Sequence, residues 1–304
     1  MNKQQEKIKL GIIGLDTSHV IAFTELLTDA EHPYHVAGAV VTVAYPGGSP
    51  DFELSISRVD GFTSKLRDTY QVQIVDAPEA VAERCDAILL ESADGRVHLE
   101  QFKRIAPYGK PVFIDKPLAV TSTDAREIYA IAEQYNIPVM SASSLRYAEG
   151  FVEKLSNRNK GPVIGMDVYG PMAIQPTQPG LFWYGIHTAE MLIAALGPHC
   201  VHVSAVTTDQ HDLIVGTWAD GRVGTLRGNR SGNQEFGAVI HREQGSQHVD
   251  VQAHPKSYYA SLLERIMEMF RTGQPQIPAE ETLAIIRFIE AANTSRETGQ
   301  VVSL

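Results

Sequence analysis

Three short stretches of this chain hold residues whose type and spacing suit chemistry. In "GKPVFIDKPLAV" the residues Asp115, Lys116 and Pro117 close an apolar run. An ammonium group is costly to desolvate, so a lysine at the end of a buried strand needs a partner or a task. In "LFWYGIHTAEMLIAALG" the residues Tyr184, His187 and Glu190 recur at spacing three, which on a helix sets them on one face. The third stretch, "GIIGLDTSHV", follows an apolar run and reads as a strand, a tight turn and a helix start. Dinucleotide folds use G-x-G-x-x-G at such a turn, for the turn itself, for backbone approach to a pyrophosphate and for close helix packing. Here only Gly14 of the three glycines is present, and Asp16 and His19 stand at the other two places. A carboxylate facing a pyrophosphate is repulsive, so a phosphate docks only if Asp16 turns away, for instance to cap the helix. Thr17 and Ser18 then offer hydroxyl donors beside a helix N-terminus that attracts anions. The competing reading is that "DTSH" simply caps a helix, with His19 a packing residue at its start.

These residues need a scaffold, and the first half of the chain supplies a β-α alternation. Strand-like segments "IKLGIIG", "HVAGAVVTVA", "VQIV", "DAILLES", "PVFID" and "IPVMSAS" are apolar enough for parallel strands covered on both faces. Helical patterns lie between them, and "YPGGSPDFELSISRVDG" reads as a long turn-rich insert after the second strand. This predicts a Rossmann-type doubly wound sheet over residues 1–145, with ligands beyond the strand C-terminal ends. Tyr45, at the end of strand two, is placed to stack on an adenine, in a position where an acidic residue usually binds ribose hydroxyls. From 146 onward the alternation has period two, and Asp220-Gly221 suits a hairpin turn. Residues 146–304 are therefore expected to form an α+β domain with an open, mainly antiparallel sheet, for substrate binding and oligomerisation. Two amphipathic helices end it, and the closing helix is allowed to pack back on the first domain.

Composition narrows the partners. The chain has 304 residues, 43% of them hydrophobic and 20% charged, with a net charge of −10. That balance argues against nucleic acid and anionic membranes, and no apolar run reaches the ~20 residues of a membrane span. The first ten residues lack a signal-like apolar stretch, so a cytoplasmic location is expected. Cys85 and Cys200 are far apart and without metal-ligand spacing, so both are read as buried free thiols. An open sheet with one wet face is commonly covered by a second copy, and a homodimer or homotetramer is expected.

The motifs together resemble the Gfo/Idh/MocA family of glucose-fructose oxidoreductase and inositol dehydrogenase-like enzymes. The family's Glu-Lys-Pro is Asp115-Lys116-Pro117 here, and its pattern after strand four is similar to "ESADGRVH", ending at His98. Its Arg-aromatic pair corresponds to Arg146-Tyr147, and its D-x-G-x-H-x-x-D helix motif to Trp183, Gly185, His187 and Glu190. The closing segment "GQPQIPAEETLAIIRFIEAANTSRETGQVV" is also similar. The resemblance implies oxidation of a secondary alcohol on a sugar, cyclitol or related polyol with NAD or NADP, or the reverse reduction, and NAD is favoured. It implies cofactor contacts from Gly14, Asp16, Thr17, Ser18, His19, Tyr45, Ser92, Asp94, His98, Asp115 and Lys116, with His98 equally readable as structural. Lys116 would hydrogen-bond the reacting oxygen, and His187, with an ordinary pKa near ~6.5, would be the general base. Arg146 and Glu190 would bind substrate hydroxyls. Trp183 replaces the family's aspartate, so a relay through that position is excluded; Trp183 is instead a stacking wall and Tyr184 the substitute proton carrier. Two alternatives stay open. One is a catalytically silent sugar- or nucleotide-binding protein on the same fold. The other is a metal enzyme gathering His19, Glu91, Asp94, His98, His187 and Glu190, although no metal site is expected because nothing in the sequence brings them together.

Overall fold

The computed structural model describes residues 6–304. By contacts the chain divides into two compact units. The first comprises the chain up to Ala119, together with Asp124–Ser141 and Tyr259–Ile277. The second comprises Val120–Thr123, Ala142–Tyr258 and Pro278–Leu304.

The first unit runs β1 (Ile8–Ile13), α1 (His19–Thr28), β2 (Ala39–Tyr45), α2 (Glu53–Tyr70), β3 (Gln73–Ile74), α3 (Pro78–Ala82), β4 (Ala87–Leu90), α4 (His98–Ile105), β5 (Val112–Asp115), α5 (Ser122–Gln134) and β6 (Val139–Ala142). The six strands lie in the order β3-β2-β1-β4-β5-β6, the doubly wound arrangement whose direction of winding reverses between β1 and β4. Leu10, Ile12, Ile13, Ile88, Leu89, Leu90, Phe113 and Ile114 are fully buried, as strands sandwiched between helices require.

One sequence expectation fails here. The segment after β2 is not a long turn-rich insert: its second half is the start of the 18-residue helix α2. Ser55, Val59 and Leu66 form its buried stripe, so tertiary packing outweighs the modest helix propensity of serine, valine and glycine. The segment Tyr259–Ile277 returns to the first unit as most of a late helix, α8 (Tyr258–Thr272), and sets the Tyr259 ring 4.9 Å from that of His19.

The second unit contains α6 (Glu149–Ser156), β7 (Val163–Pro171), α7 (Gly185–Leu196), β8 (Cys200–Thr207), β9 (His211–Trp218), β10 (Val223–Asn229), β11 (Gly237–Arg242), β12 (Gly245–Asp250), α9 (Ala279–Thr298) and β13 (Val302–Ser303). Its seven strands are ordered β12-β11-β7-β10-β9-β8-β13. Five of the neighbouring pairs are antiparallel; β7 and β10 are parallel, because α7 and the β8–β9 hairpin give the chain the length to cross over. Helix α7 presses Leu192 and Leu196 onto the inner face at Gly224, where a Cβ would lie 2.7 Å from both side chains. The Asp220-Gly221 hairpin forms as expected, with Gly221 N donating to Trp218 O at 2.9 Å. The outer face leaves Val206, Leu213 and Val223 exposed.

Candidate functional site

Register in the first unit aligns three strand ends. Ile13 pairs with Leu90, and Leu90 with Ile114, so the next residues, Gly14, Glu91 and Asp115, form a row where the winding reverses. That edge is where doubly wound sheets bind ligands. Gly14 has φ of +88°, and a Cβ there would collide with Ser92 N, so no other residue fits. After it, Leu15 and Asp16 are buried and Ser18 is exposed. Ser18 occupies the N-cap position of α1 without a side-chain cap bond, so the first-turn amides keep their pull on an anion.

Asp16 does turn away, but not to cap the helix. Its Oδ2 accepts from Ser55 Oγ at 2.5 Å and its Oδ1 from Ala93 N at 2.9 Å, tying the turn to α2 and to the segment after β4. Burial raises its pKa against the pull of those two bonds. The carboxylate is thus engaged inside the unit rather than presented to a phosphate. His19 is the first residue of α1. Its ring packs on Tyr259 and Phe23, while Nδ1 lies 3.1 Å from Asp115 Oδ2 and 3.6 Å from Glu91 Oε2. Burial disfavours charge on this imidazole, yet the two carboxylates outweigh it and hold its pKa up, to about 9. Burial pushes Glu91 upward against His19. Asp115 moves down because His19 and Lys116 overcome its burial. No metal site is expected from the sequence, yet His19, Glu91 and Asp115 do converge; His19 and Glu91 belong to the rival ligand set, whereas Asp115 does not.

The other expected cofactor residues are placed as follows. Tyr45 is half-buried at the end of β2, and Lys116 is half-buried one residue past β5. Ser92 is buried and donates to Gln101 Oε1 at 2.9 Å. Buried Asp94 holds the Arg96 guanidinium, which also reaches Asp51. His98 is fully buried with both ring nitrogens on backbone carbonyls, Nε2 at 2.7 Å from Ser92 O and Nδ1 at 2.9 Å from Pro117 O. It is therefore a clamp between the segments after β4 and β5, the structural of its two readings. Cys85 and Cys200 are buried and free.

The second unit holds the histidine helix. Helix α7 begins at Gly185, so Tyr184 stands at its N-cap position rather than on the helical face expected. The Tyr184 ring stacks on Phe236 and meets His187 edge-on at 5.5 Å. Trp183 is buried beside Tyr184. His187 Nδ1 is 2.7 Å from Ser143 Oγ, which also accepts from Leu145 N at 3.2 Å. Arg146 and Glu190, the two residues expected to bind substrate hydroxyls, lie together with Glu281. The guanidinium donates to Glu281 and lies 3.7 Å from Glu190 Oε1, so one cation faces two acids and Glu281 adds to the burial that disfavours charge on Glu190. Burial raises the Glu190 pKa to about 7 in spite of Arg146. Ser143, Phe236 and Glu281 escape a sequence reading because they lie on separate elements and only the fold assembles them. The "SASS" run around Ser143 is the sole cue.

Comparison with known proteins agrees with this architecture. The model of the oxidoreductase family with NAD-binding Rossmann fold, Gfo/Idh/MocA, matches residues 55–143. YhhX of Escherichia coli K12, named an uncharacterized oxidoreductase, is 27% identical over 113 residues, and the match spans 33% of this chain and 32% of that one. YceM of Salmonella typhimurium, also named an oxidoreductase, is 22% identical over 263 residues, covering 81% of this chain and 73% of that one. Among solved structures, the myo-inositol dehydrogenase of Lactobacillus casei in complex with NAD(H) and myo-inositol superposes with a TM-score of 0.76 at 16% identity, over 98% of this chain and 97% of that chain. At that identity the likeness shows the fold. No helix among the described residues is long and apolar enough to cross a membrane.

Proposed function

Because the chain is of the Gfo/Idh/MocA oxidoreductase type, with the family's NAD-binding Rossmann fold over 55–143, we propose that it is a dehydrogenase that oxidises a secondary alcohol of a sugar, cyclitol or related polyol with NAD, or runs the reverse reduction. The observation that carries this reading is the turn after β1. Gly14 makes the tight turn at φ +88° against Ser92, Asp16 is drawn into Ser55 and Ala93, and α1 opens uncapped at the edge where the sheet reverses. These residues fit a dinucleotide phosphate although two of the three usual glycines are absent. The nicotinamide supplies the hydride chemistry when bound.

The chain's own residues must manage the hydroxyl proton. Lys116 donates to the reacting oxygen and stabilises negative charge on it. His187 is the general base in the oxidative direction. With Nδ1 held by Ser143 Oγ, Nε2 is the nitrogen that takes the proton. Tyr184, whose ring meets that imidazole edge-on, is the proposed carrier of the proton. A cyclitol or sugar is the substrate class because the L. casei structure holds myo-inositol on the same fold. NAD is preferred over NADP, and the exposed outer face of the second sheet, with Val206 and Leu213, is assigned to a second copy of the chain.

A panel of inositols, sugars and sugar acids assayed with either nicotinamide, reading the reduced cofactor, tests the activity. Lys116→Ala is expected to abolish turnover with the fold intact. A nucleotide bound specifically at 100 times its dissociation constant should stabilise the protein by about 2.7 kcal/mol. If neither nucleotide moves the melting curve, the dehydrogenase reading fails.

A further inference from the structure

We propose that His19 Nδ1, Glu91 and Asp115 form a binding site for a divalent transition-metal ion in the first unit, at the same row of strand ends as the proposed nucleotide site and read out without nucleotide. The three groups come from three elements. His19 opens α1, Glu91 follows β4 and Asp115 ends β5, and strand register brings the two acids level. Their ligand atoms all lie within 4.8 Å of one another. The Nδ1 separations of 3.1 Å from Asp115 and 3.6 Å from Glu91 resemble the edges of a coordination polyhedron. Two ligands at about 2.0–2.2 Å from one ion stand roughly 2.8–3.6 Å apart when they subtend a right or tetrahedral angle.

Hydrogen bonding supports an ion over a proton at this position. Glu91 is fully buried, and neither of its oxygens has a hydrogen-bond partner in the protein; Asp115 Oδ1 is in the same condition. Buried polar atoms are almost always satisfied, so a cluster that leaves three carboxylate oxygens without a donor is built for something else. An imidazolium has only one hydrogen on Nδ1, and both acids approach that same nitrogen, so a proton there serves one of them. A dication accepts electron pairs from all three groups, beside the Lys116 charge that already acts on both carboxylates. Mixed nitrogen and oxygen ligands favour zinc or manganese over magnesium. Three protein ligands leave a position open for water or for a ligand oxygen, as catalytic metal sites do.

The test uses the whole chain without a tag, stripped with chelator and dialysed into metal-free buffer. Calorimetric titration with zinc and manganese should give one equivalent per chain, with magnesium much weaker. Cobalt should give a visible d–d spectrum at the same stoichiometry. Glu91→Gln and His19→Asn should each weaken binding by at least about tenfold, since even outer-sphere partners of metal ligands are worth that much. Glu91→Gln keeps the shape and removes a buried charge, so it stays folded where His19→Asn fails to. Substoichiometric binding by the wild type overturns the proposal and leaves a protonated cluster. Binding unchanged in Glu91→Gln overturns it equally, since it points to surface histidines such as His254, which sits between Glu149 and Glu153.

Discussion

Replacing Glu190 by glutamine separates a buried charge from a buried shape. The residue is 2% exposed, and desolvation raises its pKa from 4.5 to about 7 although Arg146 opposes the shift. Below pH 4.5 the carboxyl is protonated in both folded and unfolded chains, and its contribution is fully present. Between 4.5 and 7 the unfolded chain has released the proton and the folded chain keeps it, so stability falls as pH rises. Above 7 both are ionised and the loss is complete. The gap of about 2.5 pH units, at about 1.36 kcal/mol each, amounts to roughly 3 kcal/mol. The amide of the Glu190→Gln variant cannot titrate, so the difference between wild type and variant should be constant near pH ~4 and shift by about 3 kcal/mol in the variant's favour by pH ~8. Urea unfolding at a series of pH values measures it. The only tryptophans, Trp183 and Trp218, both lie in the second unit, so their fluorescence reports the unit that carries Glu190. A difference that stays flat across this range, or that moves toward the wild type as pH rises, refutes the assignment of a raised pKa to burial.

Other perturbations read the first unit. Gly14→Ala drives a Cβ into the Ser92 backbone at φ +88°, and should destabilise by more than about 1 kcal/mol and remove nucleotide-induced stabilisation in a thermal melt. Asp16→Ala leaves Ser55 Oγ and Ala93 N without their acceptor, a loss of about 2–4 kcal/mol in denaturant unfolding, with Asp16→Asn milder because Oδ1 survives. In the second unit, Ser143→Ala removes the oxygen at His187 Nδ1, and the pH profile of kcat should shift while KM for polyol changes little.

Much of this fold is legible in sequence because apolar runs such as "GII", "AILL" and "VFI" are too short and too continuous for anything but covered strands. The lysine strand end and the histidine helix are visible for a related reason: each breaks a local rule that a core obeys. What the sequence hides depends on distance along the chain. Glu91 reads as the polar end of a strand until register sets it level with Asp115. The pairing of Arg146 with Glu281, 135 residues away, is likewise invisible until the fold brings the two together. Helix α2 escapes a local reading because its stripe is thin and its glycine and serines argue for turns, while the packing that overrides them comes from elsewhere in the chain.

The altered glycine turn looks like erosion in sequence and like substitution in structure. Loss of the second glycine alone would place a carboxylate against a phosphate, and loss of the third would leave a bulky imidazole between α1 and the sheet. In this structure both side chains have partners of their own. Asp16 has Ser55 and Ala93; His19 has Asp115, Glu91 and the ring of Tyr259. Such partners matter for stability alone, since unpaired buried charge is destabilising. The matched set drawn from α1, α2 and the ends of β4 and β5 is a site with its own internal pairing, and Glu91, whose oxygens have only the 3.6 Å approach of His19, is the residue on which that pairing can be measured.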